Sequence, residues 1–251
     1  MSRSITLVLG AVPWEIKPIE TVLNRHTSHL LYDFPYFEGT IGKQNLIIAI
    51  TGVGKTNAAM ITSLFVQKFR PTRLLFTGTA ARINRELRTG DIILGKKTVH
   101  HDAGTLKQSG MLYRKIIGPI PKRQTHFQYS ADSQLLASAI EAAKSYDPRK
   151  ISANDESYLP AVKPGIICSG DLFGMTAIKL DDIRQKLRAD LVEMEGSAVA
   201  QVCHSLHVPH LVIRGGSNLA QENPGGDYKR LGQIAARSAA LFTVHLIQHL
   251  S

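Results

Sequence analysis

The chain has 251 residues, 43% of them hydrophobic and 20% charged, and a formal charge of +10; this is apolar enough to bury a large core and excludes a disordered chain. Cys168 and Cys203 sit in apolar runs without CxxC or Cys/His spacing, which excludes a structural metal and leaves two buried thiols. The amino-terminal apolar run breaks at Gly10 and Pro13, and no later one approaches the roughly 20 residues of a membrane span, so the expectation is a cytoplasmic protein of one domain, residues 1–251.

In chain order, short β-branched runs predict buried strands at Ile5 to Leu9, Leu46 to Thr51, Arg73 to Phe76, Asp91 to Leu94, Gly165 to Cys168, Leu191 to Met194 and His210 to Ile213. Helical spacing predicts helices at Asn57 to Phe69, Ser133 to Lys144, Ala177 to Leu187, Ser197 to His207 and Tyr228 to His249. Their alternation predicts an α/β fold, three layers with a central mixed sheet. The basic residues Lys107, Arg114, Lys115, Lys122 and Arg123 share the segment His101 to Tyr129 with one acid, Asp102. Its glycines and prolines predict a solvated loop, with no recognition helix or zinc finger, and therefore no nucleic-acid partner.

The unusual residues fall where predicted strands end: Gly10 and Glu15, Thr77 to Arg82, Ser169 to Phe173, Glu193 and Glu195, and Arg214 to Asn218. Ligands of open α/β sheets bind beyond the carboxyl ends of the strands, so five segments converge on one expected site. Thr51-Gly52-Val53-Gly54-Lys55-Thr56 is not a P-loop, because Ala49 stands where GxxxxGK[ST] needs its first glycine; it predicts a glycine turn that opens a helix. Glu15 follows Pro13 and Trp14, where a carboxylate suits a helix start and equally suits a general base with a tuned pKa. The period of two in Leu191-Val192-Glu193-Met194-Glu195 sets both acids on one strand face, an arrangement favouring vicinal hydroxyls of a ligand, with an ion pair to Arg214 as the alternative. Arg214-Gly215-Gly216-Ser217-Asn218 allows close backbone approach to a ligand, or is a surface turn. His100 and His101 lack a metal-like partner set and are expected to be structural.

Together these segments resemble the nucleoside phosphorylase and nucleosidase superfamily, and within it the methylthioadenosine/S-adenosylhomocysteine nucleosidases. The resemblance rests on Gly10-Ala11 with Glu15, Thr51 to Lys55, Thr77-Gly78-Thr79-Ala80, Thr89-Gly90-Asp91-Ile92, Ser169-Gly170-Asp171 with Phe173, and Val192 to Glu195, with Ala200 to His204 and Val208 to Arg214 extending it over nearly the whole chain. It implies that Glu15 activates water, Glu195 holds the ribose hydroxyls, Met194 packs beside the sugar, Phe173 stacks near the purine, and the backbone at Thr79 and Ala80 underlies base and ribose. Ser217 and Asn218 then stand in the base loop. It also implies a purine nucleoside as partner, no metal or organic cofactor, and a homodimer in which an aromatic residue of the neighbour, Phe127 or Tyr129, closes the pocket.

Two departures follow. Ala81 and Arg82 replace paired glycines of the family, leaving Arg82 either in solvent or at the pocket floor; and Asn218 replaces the aspartate that protonates purine N7, which an amide cannot do. Phe76 stands where hexameric phosphorylases carry a phosphate-binding arginine, which favours hydrolysis over phosphorolysis. The alternatives are a 6-oxopurine nucleosidase, a purine nucleoside phosphorylase, and a catalytically impaired nucleoside-binding protein.

Overall fold

The structure, a computed structural model, describes residues 4–108, 110–118, 125–153, 156–220 and 228–250. The elements run β1 (Ile5–Gly10), α1 (Pro13–Glu20), β2 (Asn24–Leu31), β3 (Phe34–Ile41), β4 (Gln44–Ile50), α2 (Lys55–Phe69), β5 (Arg73–Arg82) and β6 (Ile92–His100). There follow β7 (Gly104–Lys107), β8 (Gly110–Tyr113), β9 (Ile116–Ile117), β10 (Thr125–His126), β11 (Tyr129–Ser130), α3 (Ser133–Ser145), β12 (Ile151–Ala153) and β13 (Glu156–Tyr158). The chain closes with β14 (Val162–Ser169), α4 (Ala177–Leu187), β15 (Leu191–Glu193), α5 (Gly196–Ser205), β16 (His210–Leu219) and α6 (Tyr228–His249).

Ten strands form one mixed sheet in the order β11-β6-β14-β15-β5-β1-β4-β3-β2, and β16 pairs with both β5 and β6. That double pairing closes β6, β14, β15, β5 and β16 into a ring, while β1, β4, β3 and β2 continue as an open wing. Strand alternation builds the layers. Leu7 and Leu9 of β1, with Ile47 and Ala49 of β4, face Ala58, Ile61 and Phe65 of α2 and Val199 and Cys203 of α5. Val8, Leu46 and Ile48 face the other way, onto Ile16 and Ile19 of α1, Ala139 of α3 and Phe242 of α6. A third cluster seats α4 through Leu180, Ile183 and Leu187 against Val192. Sheet and helices thus make the expected three-layer α/β/α arrangement.

Four expectations need correction. First, no strand was expected between Asn24 and Ile41, yet β2 and β3 form a hairpin there whose outer strand is exposed along almost its whole length; a strand without a buried face carries no apolar alternation to read. Second, the loop expected from His101 to Tyr129 contains the hairpin β7–β8, the short pair β9–β10 and the edge strand β11. Lys107, Arg114 and Lys115 are exposed there, and Lys122 and Arg123 lie outside the described residues. Third, Thr77 to Arg82 and Arg214 to Asn218 do not follow their strands but lie within β5 and β16, whose parallel register continues from Ile213↔Thr77 to Gly216↔Ala80. Glycine makes that extension possible: a Cβ at Gly78 would lie 2.0 Å from Arg214 Nη1, and one at Gly215 2.0 Å from the carbonyl of Ala235. Fourth, β15 ends at Glu193, and Glu195 is the N-cap of α5, so the two acids do not share a strand face.

Candidate active site

A pocket opens at the carboxyl ends of β1, β5, β15 and β16, lined by Ala11, Val12, Thr79, Ala80 and Ala81 on one side and by Val192, Met194 and Asn218 on another, with Val53, Leu172 and Phe173 at its rim. Three of its glutamates meet one cation. Arg214, fully buried on β16, donates from Nη2 to Glu193 Oε2 at 2.5 Å and to Glu195 Oε2 at 3.2 Å, and its Nη1 lies 3.6 Å from Glu15 Oε1. The guanidinium rests 4.2 Å over the ring of Phe76, so the residue that replaces the phosphorylase arginine serves as its platform.

Glu15 is 2% exposed at the third position of α1, whose first turn Pro13 opens. Its carboxylate accepts from three backbone N–H groups: Ala11 at 2.6 Å, Val12 at 3.2 Å and Thr79 at 2.8 Å. Burial still pushes its pKa above the usual carboxylate range, against the opposing pull of Arg214 and those donors. A poised, water-shielded carboxylate of this kind is what general base catalysis requires.

Glu193 and Glu195 divide their tasks. Burial disfavours the Glu193 charge, but Arg214, the Ser169 hydroxyl and the N–H groups of Gly196 and Glu195 outweigh it and hold the pKa below normal. Its oxygens are thus consumed inside the protein, and the ion-pair alternative describes Glu193. Glu195 receives one N–H, from Gly54 at 2.9 Å, besides Arg214. Burial, and then the Glu193 charge beside it, push Glu195 up to about 8. The glycine turn read as no P-loop therefore holds a carboxylate instead of a phosphate.

The remaining expected residues separate by position. Thr79, Ala80, Phe173, Met194 and Asn218 line the pocket with Glu15 and Glu195, whereas Ser217 does not. Its buried hydroxyl lies 3.0 Å from the carbonyl of Ala80 and 3.1 Å from Asn218 Oδ1, which makes it a brace for the loop. Asn218 Nδ2 donates to the carbonyl of Leu219 at 3.1 Å. The Thr79 hydroxyl is buried with no hydrogen-bond partner among the described residues and so remains for a ligand. Phe173 is 61% exposed, a rim residue before any ligand is stacked on it. Arg82 fills neither place expected of it: it is 8% exposed and runs behind the loop, donating from Nε to the carbonyl of Ser217 at 2.7 Å and from Nη1 to that of Leu87.

Sequence reasoning missed the rim network in which Lys55 Nζ meets Asp102 at 2.7 Å while Asp171 accepts the Lys55 N–H at 2.8 Å; residues 47 and 116 positions apart give no local signal. It also missed the roles of the Ala11, Val12 and Gly54 amides, which no side chain advertises. His100 bonds Gln201 at 3.1 Å, and burial lowers the His101 pKa to about 4, so both fit a structural role. Cys168 and Cys203 are free and buried, and burial raises both thiol pKa values. Tyr129 is 3% exposed and packs on His100 and His204 of its own chain. No described helix is long and apolar enough to cross a membrane.

An apolar slot suits a flat ring, and the adjoining carboxyl groups suit hydroxyls, which makes this a nucleoside-type pocket in an α/β enzyme. The chain belongs to the phosphorylase superfamily, whose family model matches residues 6–248, and within it to the 5′-methylthioadenosine/S-adenosylhomocysteine nucleosidases. It is 30% identical to the nucleosidase of that name from Anoxybacillus flavithermus, covering 96% of this chain and 95% of the relative. The nucleosidase of Neisseria meningitidis in complex with methylthio-immucillin-A superposes with a TM-score of 0.83 at 26% identity, over 98% of this chain and 99% of that one. The futalosine hydrolase of Helicobacter pylori shares the fold at a TM-score of 0.81 and 24% identity, over 98% and 97% of the two chains. One backbone therefore hosts more than one hydrolase, and the pocket must select the substrate.

Proposed function

We propose that this chain is a purine nucleoside N-ribosyl hydrolase of the methylthioadenosine/S-adenosylhomocysteine type, acting as one domain over residues 1–251. Glu15 takes a proton from the water that adds to the anomeric carbon; the bond from that carbon to the purine breaks, and its electron pair leaves with the base, which takes up a proton from solvent water as Glu15 returns its own. Glu195 receives the ribose hydroxyls, Met194 and Phe173 flank sugar and purine, and Thr79, Ala80 and Asn218 face the base and ribose, with Ser217 bracing Asn218. Developing positive charge on the sugar is stabilised by the buried carboxylates. The observation that carries this reading is the pair of pocket carboxyl groups, Glu15 and Glu195, held on one buried arginine beside an apolar slot.

Base release is expected without phosphate, since Arg214 is committed to glutamates and Phe76 lies under it. Incubation with methylthioadenosine, S-adenosylhomocysteine, adenosine and inosine, with and without phosphate, should yield free sugar in both cases. A strict phosphate requirement with a sugar 1-phosphate product would instead establish a phosphorylase.

The Glu195 pKa of about 8 sets a pH dependence. An ionised carboxylate accepts hydroxyl protons best, so kcat/KM is expected to rise as pH increases toward 8. Stability should move oppositely. A carboxyl whose folded pKa is raised above its ordinary 4.5 contributes stability in full below that value and loses it as pH climbs through about 8. Glu195→Gln should flatten this part of both profiles, and equal pH slopes of Tm for the variant and wild type would remove Glu195 as the titrating group.

A homodimer in the cytoplasm completes the proposal. The dimer is supported by the resemblance and by Leu106 and Ile117, apolar side chains exposed at 77% and 82% on β7 and β9.

A further inference from the structure

We propose that a second cleft, between the end of α3, β12 and α6, is a binding site for a small phosphate-bearing anion. The cleft measures about 250 Å³ and shares no lining residue with the nucleoside pocket. Arg149, Lys150 and Arg237 stand in its wall together with the hydroxyls of Ser152 and Ser238, and no acid lines it. None of the three cations has an ion-pair partner among the described residues, whereas the exposed cations Lys17, Lys144, Arg184 and Lys186 each sit on a neighbouring carboxylate. The acid closest in sequence is Asp147, whose charge is felt by Tyr146 at the cleft wall.

Three like charges line one concavity in a chain that already carries +10, and their summed field attracts an anion. Phosphate fits the donor set, because two guanidinium forks and an ammonium match several tetrahedral oxygens at once. The volume admits phosphate or pyrophosphate and is too small for a duplex or a membrane surface.

The cleft also touches the back of the base loop. Ser238 donates to the carbonyl of Gly90 at 2.7 Å, and the Gly90 N–H donates to the carbonyl of Gly216 at 2.7 Å, one residue before Ser217. Ile151 of the cleft wall presses on Gly90 so closely that a Cβ there would lie 2.1 Å from its Cδ1. Because the cleft shares no lining residue with the nucleoside pocket, an anion held in it is not the nucleophile, and any phosphate effect arising from it leaves the product a free sugar, which separates it from phosphorolysis.

The test is calorimetric titration with pyrophosphate at a constant ionic strength of about 150 mM, paired with Tm measurements. One saturable site per chain and a higher Tm are expected. Arg149→Ser/Arg237→Ser should weaken binding about tenfold or more while a control of equal charge loss, Lys68→Ser/Lys107→Ser, stays within about twofold. No saturable heat, or equal weakening in both double variants, would reduce the effect to diffuse charge screening and overturn the proposal. Tight binding of a single-stranded oligonucleotide that pyrophosphate does not displace would overturn it as well.

Discussion

Glu15→Gln is expected to lower kcat by about 100- to 10,000-fold, the usual worth of a positioned general base, while leaving affinity for a non-hydrolysed nucleoside analogue within about threefold. The amide preserves shape but cannot take a proton from water. It also turns one donor toward either the Ala11 and Val12 N–H groups or that of Thr79, all of which the carboxylate now accepts. Leaving such a buried donor unmet costs about 1–3 kcal/mol, so a lower Tm should accompany the loss of rate. Initial rates, calorimetric affinity and melting curves on one preparation separate these effects. A variant retaining most of the wild-type kcat would show that Glu15 is a helix-start carboxylate and that another group activates the water.

Asn218→Asp carries the other large effect, in the opposite direction. The wild-type amide cannot protonate the departing base, and a general acid is worth about 100- to 10,000-fold. The surroundings favour a protonated carboxyl at this place: the Asn218 amide nitrogen faces the carbonyl of Leu219 at 3.1 Å and its oxygen faces the Ser217 hydroxyl at 3.1 Å. An oxygen set against the Leu219 carbonyl must hold a proton to avoid facing a lone pair, and burial raises its pKa further. The expected result is a gain of about 100-fold or more in kcat/KM for methylthioadenosine, with no change or a loss for inosine, whose 6-oxo edge pairs with the flipped amide. If wild type already cleaves methylthioadenosine rapidly and the substitution leaves that rate unchanged or lower, a water or another group delivers the proton.

Both predictions stand on residues visible in the sequence, and the reason is local. Glu15 announces itself because an acid interrupts an apolar segment just past Pro13, and Asn218 because it follows glycines after the strongly apolar His210 to Ile213. The core strands and the main spans of the five helices α2 to α6 were legible for a similar reason. Burial on both faces demands uninterrupted β-branched runs, and burial on one face demands helical spacing. The helix Ala177–Leu187 matches its expected limits, and α2 and α5 begin earlier than expected by two residues and one. α1 is the exception in extent: Pro13 and Glu15 marked its start, but a helix of eight residues containing Pro18 shows too little periodicity to set its end.

What the sequence by itself determined is the alternation of strands and helices, the gathering of unusual residues at strand ends, and the identities of the acids. Tertiary structure alone decided how those acids are used. Two residues apart in sequence, Glu193 and Glu195 look equivalent, yet β15 stops between them and only Glu195 keeps a raised pKa and a place for a ligand. The choice is made by Arg214, which arrives from a strand pairing on the other side of the ring, and by Ser169 and Gly54, which each satisfy a different carboxylate. Arg82 is likewise unreadable by itself, because the carbonyls of Ser217 and Leu87 that receive it belong to other segments. The energy of a buried charge depends on which donors surround it, and those donors come together only when the sheet closes.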